Sequence, residues 1–298
     1  MSWLILNVHS ATVLAGAMLP VAVAASRFSG RWARFVAAAA LEIAIICGLY
    51  ALWQVANGLA RGHTSGGLAR GRDLWNAERW LHLPSEVSVQ RLILHHRELV
   101  RWANYFYESA HFTTMVVFLL WLWLRHRDRY PIVRNTIVAF TAMSLLIQMV
   151  QVAPPRLIGV PGLVDTGQAV GPTPYNGFAA HIADQYAAMP SIHVGWAVLI
   201  SIAVVKCSPS RWRWLAVLHA VVTSFVVVVT GNHYWLDGIV AVALLVPAYF
   251  VAVGVQRVAE LLPAAGRRGR YGAIESFETS PPSTANWSMP SDTPSSHR

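Results

Sequence analysis

Two histidines and one carboxylate stand where apolar segments begin. They lie in Met189-Pro190-Ser191-Ile192-His193 and in Gly231-Asn232-His233-Tyr234-Trp235-Leu236-Asp237. Polar groups at the depth of a bilayer are costly and mark function when they recur together. His233 and Asp237 are four residues apart, which on a helix puts them on one face. A carboxylate that accepts the proton of one ring nitrogen leaves the other nitrogen its lone pair for attack. Phosphorus is a natural target for such a nucleophile. Pro190-Ser191 reads as a helix start, with Ser191 as the cap and the first free N–H groups beside His193, a setting that favours a phosphate. A protonated His193 could then give its proton to a leaving oxygen. Arg156, just after Pro154-Pro155, supplies a planar cation suited to phosphate oxygens. Taken singly, the His/acid pair is equally a satisfied interhelical hydrogen bond. By ligand type alone, His193, His233 and Asp237 could also hold a metal, the lesser alternative; no metal and no cofactor is expected.

The elements that must position these groups are membrane helices. Of the 298 residues, 55% are hydrophobic and 12% charged, where a soluble domain has about 25% charged. Seven windows read as spans: Leu4 to Ala25, Phe35 to Ala56, Asn104 to Leu124, Val133 to Ala153, Ser191 to Val205, Trp214 to Thr230 and Tyr234 to Val255. Most approach the roughly 20 residues a bilayer requires, and a backbone in lipid must be helical to satisfy itself. The fifth is short and is expected to begin ahead of Ser191. The expected fold is therefore an all-α polytopic bundle of about seven transmembrane helices. The first window has no basic n-region and no small-residue cleavage site, and reads as a span rather than a signal peptide.

The net charge of +9 raises nucleic acid as a partner, but the arginines cluster in loops between spans, so no nucleic acid is expected. Arg27, Arg31 and Arg34, then Arg125, Arg127, Arg129 and Arg134, then Lys206, Arg211 and Arg213, then Arg257, Arg267, Arg268 and Arg270 all fall on one side if seven helices alternate. The positive-inside rule makes that side cytoplasmic, with the N-terminus outside, the C-terminus inside and the histidine motifs on the extracytoplasmic face. Cys47 and Cys207 give no disulfide framework and no CxxC spacing. Tryptophans near span ends fit an interfacial belt.

Four regions follow: an appended transmembrane pair (1–56), an extracytoplasmic interfacial segment (57–101), a catalytic bundle (102–257) and a disordered tail (258–298). The interfacial segment carries seven arginines against four acids. It is expected to lie in the membrane plane, with Leu74, Trp75, Trp80, Leu81, Leu92 and Ile93 in the interface and the charges above; a re-entrant pair is the alternative. The loop from Pro154 to Pro190 is long enough to be a lid or binding element. Asn286-Trp287-Ser288 matches a glycosylation sequon by chance, since it falls on the cytoplasmic side. On the third span, His111 and Glu108 suggest a pocket wall, or a plain interhelical hydrogen bond. Glu42 and His219 are expected to make structural contacts.

Pro190-Ser191-Ile192-His193 resembles the Pro-Ser-Gly-His motif of the type 2 phosphatidic acid phosphatase (PAP2) superfamily, and His233-Tyr234-Trp235-Leu236-Asp237 resembles its His-x-x-x-Asp motif. Asn104, Tyr107 and His111, with Pro154-Pro155-Arg156, look like the Aur1/Ipt1-like inositolphosphotransferase branch. The resemblance covers roughly Asp73 to Val255 and leaves out the first two spans. It implies metal-independent, two-step phosphoryl transfer: His233 attacks phosphorus and forms a phosphohistidine, Asp237 orients it, and His193 protonates the departing group and then activates water or an alcohol. Arg156, Ser191, His111, Asn104 and Tyr107 would bind phosphate or substrate. The chain departs from the superfamily's first motif, Lys-x6-Arg-Pro, with Met149 and Leu157 beside Arg156. It departs from the third with Val226 and Val227 in place of Ser-Arg. His181, His111 or an arginine of the 57–101 segment are the candidates to replace the missing cations.

The expected partner is a membrane lipid in the bilayer: phosphatidic acid, a polyprenyl (di)phosphate or a phosphoinositide. The expected activity is that of a lipid-phosphate phosphatase or phosphotransferase. The rivals are a non-catalytic lipid-phosphate binder or scramblase-like protein with a worn site and, last, a transporter, whose polar residues would sit near the midplane on broken helices.

Overall fold

A computed structural model describes residues 7–60, 65–173 and 185–261. His181, the Asn286 sequon and the tail beyond Leu261 lie outside the described residues. Within them the regular elements are helices: α1 (Val8–Ser26), α2 (Arg31–Ala60), α3 (Gly67–Trp80), α4 (Glu86–Leu94), α5 (Arg97–Arg125), α6 (Tyr130–Gln148), α7 (Thr166–Val170), α8 (Ile192–Cys207), α9 (Trp214–Val229) and α10 (Trp235–Leu261). Five of these, α1, α2, α6, α9 and α10, are long and apolar enough to cross a membrane, α9 together with the turn before it. The apolar α8 is shorter, at 16 residues. At 29 residues α5 is long enough, but its first half carries Glu98, Arg101, Asn104, Glu108 and His111. The protein is an all-α polytopic bundle.

Two span boundaries beside the histidine motifs differ from expectation. The fourth was expected to run to Ala153, but α6 stops at Gln148. Pro154 and Pro155 follow, and a residue ahead of proline is pushed out of helical conformation. The chain therefore extends: Val152 N–H donates to the Tyr186 carbonyl at 2.8 Å and Ala153 N–H to the Gly67 carbonyl at 3.0 Å. The fifth helix does not begin ahead of Ser191. It starts at Ile192, and the Ser191 hydroxyl caps it by accepting the Val194 N–H at 3.4 Å.

The core runs between α5, α6, α8 and α10, where Met115, Phe118, Leu122, Phe140, Leu199, Ala241 and Leu245 are buried together. A second cluster joins Val100, Ala103 and Tyr107 of α5 to Val226–Val229 at the end of α9. Outward faces stay apolar; Leu146, Val221, Val246 and Phe250 are more than half exposed. Such a surface fits acyl chains rather than water.

The arginine-bearing turns meet at one end of the bundle. Arg127 lies over the Phe35 ring at 5.9 Å, and Arg129 donates to the Lys206 carbonyl at 3.3 Å. The α1–α2 hairpin joins the bundle through α6: Arg134 Nη1 donates to both Glu42 oxygens at 2.7 Å, and the Tyr130 hydroxyl reaches the same carboxylate at 3.3 Å. Glu42 is thus a structural contact, as its isolation in the sequence suggested.

Helices α3 and α4 brace the opposite end. Trp80 and Leu92 are exposed, free to face an interface, while Leu74 and Trp75 pack on Ile158 and Tyr234. Two of the four acids depart from expectation. Glu78 and Glu86, with Gln90, are fully buried beneath the segment instead of lying above it. Gly71 makes the close fit possible, because a Cβ there would meet the Ala153 carbonyl at 2.6 Å. The Tyr234 hydroxyl sits in that contact, 3.0 Å from the carbonyls of both Gly71 and Ala153.

Candidate active site

The His233–Asp237 motif folds differently from the helical pair its spacing suggests. His233 lies in the turn ahead of α10, and Asp237 lies in that helix's first turn. Asp237 folds back: its Oδ2 accepts the Tyr234 N–H at 2.8 Å and faces His233 Nδ1 at 3.2 Å. One carboxylate thereby caps the helix and holds the ring. A second partner sits closer. The Ala188 carbonyl is 2.8 Å from His233 Nδ1. A carbonyl can only accept, so Nδ1 carries the proton and Nε2 keeps the lone pair. Both His233 and Asp237 are buried, Asp237 completely.

The second imidazole approaches from α8. His193 follows the Ser191 cap by two residues, and the two histidine rings are 5.6 Å apart at 60°. The segments are tied directly, since the Ser191 N–H donates to the Asp237 carbonyl at 3.1 Å. From α5, Tyr107 stacks on His193 at 4.5 Å and 19° and lies 6.3 Å from His233. His111, one turn further on, is 4.2 Å from His193, backed by Phe112 and Trp196. His219 packs on Phe106. His193, His233, Asp237, Ser191, Tyr107 and His111 therefore converge at one end of the bundle.

Arg156 and Asn104 occupy the rim. Arg156 Nε donates to Asn232 Oδ1 at 2.9 Å and Nη1 to Asp165 Oδ2 at 3.0 Å, while its backbone N–H donates to the Gly231 carbonyl at 3.0 Å. The guanidinium thus grips the turn that carries His233. Asn104 donates to the carbonyls of Thr166 and Gly171 and accepts the Thr166 hydroxyl at 2.8 Å. Those bonds tie α5 to the 166–171 loop, and none of them reaches a histidine. Gln90 of α4 does the same for the neighbouring stretch, donating to the carbonyls of Val164 and Val229 and accepting the Val164 N–H.

Sequence reasoning missed Ala188, Asp165, Gln90, Glu78 and Glu86. Ala188 acts through its backbone, so no residue type signals it. Asp165 pairs across a turn whose shape only the fold supplies. The Glu78 Oε1 atom accepts the Leu236 N–H at 2.7 Å, directly behind the dyad. Burial first, and then the adjacent Glu86 side chain, push the Glu78 carboxyl up to about 9, against the lowering pull of that N–H.

No curated protein and no solved structure matches the chain. The sequence model of one family, described as the PAP2 superfamily, matches residues 72–251, more than half of the chain. That stretch starts within α3 and ends within α10, so it takes in both histidine segments and the braces behind them while leaving out the α1–α2 hairpin. On that match the chain belongs to the PAP2 superfamily.

Proposed function

We propose that this protein is an integral membrane enzyme that cleaves or transfers a phosphate-linked head group on a lipid through a phosphohistidine at His233. The observation that carries the reading is the 2.8 Å contact of His233 Nδ1 with the Ala188 carbonyl beside a second imidazole. It leaves the Nε2 lone pair free, which supports Nε2 as the nucleophile. Attack by Nε2 on phosphorus expels the lipid-side or head-group oxygen, and His193 gives that oxygen a proton. The His193 nitrogen that gave up the proton, now basic, takes one from water or an alcohol, whose oxygen attacks phosphorus and breaks the bond to His233 Nε2. Asp237 stabilises the positive charge on the phosphorylated ring. Tyr107 and His111 hold His193 in place, and the Ser191-capped start of α8 favours the phosphate. Arg156 keeps the His233 turn in register while bearing positive charge near it. The acceptor decides between hydrolase and transferase, and an inositol-type acceptor belongs to the second case.

The arginine turns gather at the end opposite the histidines, which supports a cytoplasmic arginine face and an extracytoplasmic site. On that topology the N-terminus is outside and the C-terminus inside. The Asp165 partner of Arg156, with Val226 and Val227 in the third motif, favours one second reading: a lipid-phosphate binder that no longer turns over. Purified protein incubated with phosphorus-labelled phosphatidic acid and quenched in alkali, where phosphohistidine survives, separates the two. Enzymatic function requires label on the wild type and none on folded His233→Ala. Label-free wild type that still binds the lipid supports the binder.

A further inference from the structure

We propose that Glu78 and Glu86 form a proton-sharing pair that positions the His233–Asp237 dyad from behind, through the Leu236 N–H. The proposal rests on the phosphoryl-transfer reading of that dyad. Both side chains are completely buried, one at the end of α3 and the other at the start of α4. Glu78 Oε1 accepts the Leu236 N–H at 2.7 Å. Glu78 Oε2 and both Glu86 oxygens are buried without a hydrogen-bond donor among the described residues. Arg79 Nη2 lies 3.3 Å from Glu86 Oε2 and 3.7 Å from Glu78 Oε2, which brings the two buried carboxylates together around one countercharge. Ionised carboxylates are acceptors only, and one cation balances one of them, so a shared proton is what lets both stay buried there.

The geometry explains why such a pair would matter to the chemistry. Leu236 lies between Tyr234, whose N–H is bound by Asp237, and Asp237 itself. The first amides of α10 thus have two acceptors: Asp237 from within the helix and Glu78 from α3. Held from both sides, the helix start cannot tilt, and Asp237 stays aimed at His233. The same corner grips the preceding residue, since Trp235 Nε1 donates to the Pro84 carbonyl, which Arg79 also reaches. The charged and titratable groups facing Glu78 are Arg79 on its own helix, Glu86 on α4, Tyr234 ahead of α10 and Asp237 on α10. Loss of the shared proton puts two negative charges side by side next to Asp237. That would push the α3–α4 corner away and release the Leu236 amide. A neutral glutamine at position 78 keeps the acceptor and a donor for Glu86, without a proton to lose.

The test uses full-length protein in lipid nanodiscs, as wild type, Glu78→Gln, Glu78→Ala and Glu86→Gln. Hydrogen exchange of the peptide spanning the start of α10 reads the Leu236 amide without any need for turnover. Turnover of dioctanoyl phosphatidic acid, from about pH 6 to about pH 10, reads the dyad. Glu78→Ala should raise exchange at the start of α10 by about tenfold or more. It should also lower kcat by about 10- to 100-fold with KM within about twofold of wild type. Glu78→Gln should keep both near wild type and lack the alkaline decline expected of the wild type around pH 9. Glu86→Gln, which still lets Glu78 share a hydrogen bond, should keep Leu236 protected. The proposal is overturned if Glu78→Ala leaves exchange and kcat unchanged. It is equally overturned if folded Glu78→Gln is as impaired as Glu78→Ala, or shares the wild type's alkaline limb. If no variant turns over but exchange follows the expected order, the phosphoryl-transfer reading fails while the brace stands. If the wild type turns over and Glu78→Ala matches it, the brace alone fails.

Discussion

Replacing Asp237 by asparagine tests what fixes His233, the proposed nucleophile. Asp237 Oδ2 touches two groups, the Tyr234 N–H at 2.8 Å and His233 Nδ1 at 3.2 Å. An asparagine must turn its oxygen to that position to keep the Tyr234 bond, so the ring still meets an acceptor. The tautomer is held in any case by the Ala188 carbonyl at 2.8 Å. What disappears is the charge-assisted part of one bond, which matters most once the phosphorylated ring is positive. Bonds to charged groups contribute about 1.5–3 kcal/mol and neutral ones about 0.5–1.5 kcal/mol, so the loss is about 1–2 kcal/mol. That converts to about a 5- to 30-fold fall in kcat. Were the carboxylate the sole keeper of the tautomer, the fall would be nearer ~10⁴-fold, as in triads that depend on one aspartate. The assay is steady-state turnover of a short-chain phosphatidic acid, paired with thermal unfolding. The second measurement matters because the new amide nitrogen takes the place of Oδ1, which has no hydrogen-bond partner among the described residues. A variant that folds but is as inactive as His233→Ala would refute the role given to Ala188.

Other expectations are simpler. Glu42→Ala should loosen the α1–α2 hairpin by removing the 2.7 Å ion pair with Arg134; a fall of about 1–3 kcal/mol in stability with unchanged kcat is expected by thermal unfolding and turnover, and a change in kcat would tie the hairpin to the site. Gly195→Ala drives a methyl group into the Phe140 ring, so α8 must shift; a loss of about 1–3 kcal/mol is expected, and wild-type thermal stability would contradict the packing. For pH, the folded Glu78 carboxyl is raised from about 4.5 to about 9. The folded state therefore holds the extra proton across that window, and stability falls as pH climbs through it. Unfolding measured from about pH 5 to about pH 9 should show a steeper decline for wild type than for Glu78→Gln, and parallel curves would refute the assignment.

The spacing of His233 and Asp237 was enough to pair them, although the reason differs from the one the spacing suggests. They meet across a helix start, with the acid bent back as a cap, rather than along a helix face. Ser191 and His193 were legible because proline and serine punctuate helices by local chemistry. The end of α6 was legible in principle, since Pro154-Pro155 forbids continuation, but hydropathy alone carried the span five residues too far. The inward turn of Glu78 and Glu86 was not legible. A charged residue on an amphipathic helix reads as solvated, and only the partner amide on α10, distant in sequence, reverses that. The same limit applies to Arg156. Its type announces a phosphate ligand, but its neighbours Asn232 and Asp165 become neighbours only once the turns are folded.

The Tyr234 hydroxyl bonds to carbonyls from α3 and from the stretch after α6, while its own residue leads into the last membrane helix. A chain emerging from the ribosome therefore holds Tyr107, His111 and His193 before it holds His233 and Asp237. On the proposed function, turnover begins only once α10 is seated, and an incompletely inserted chain is inert toward the bilayer that receives it.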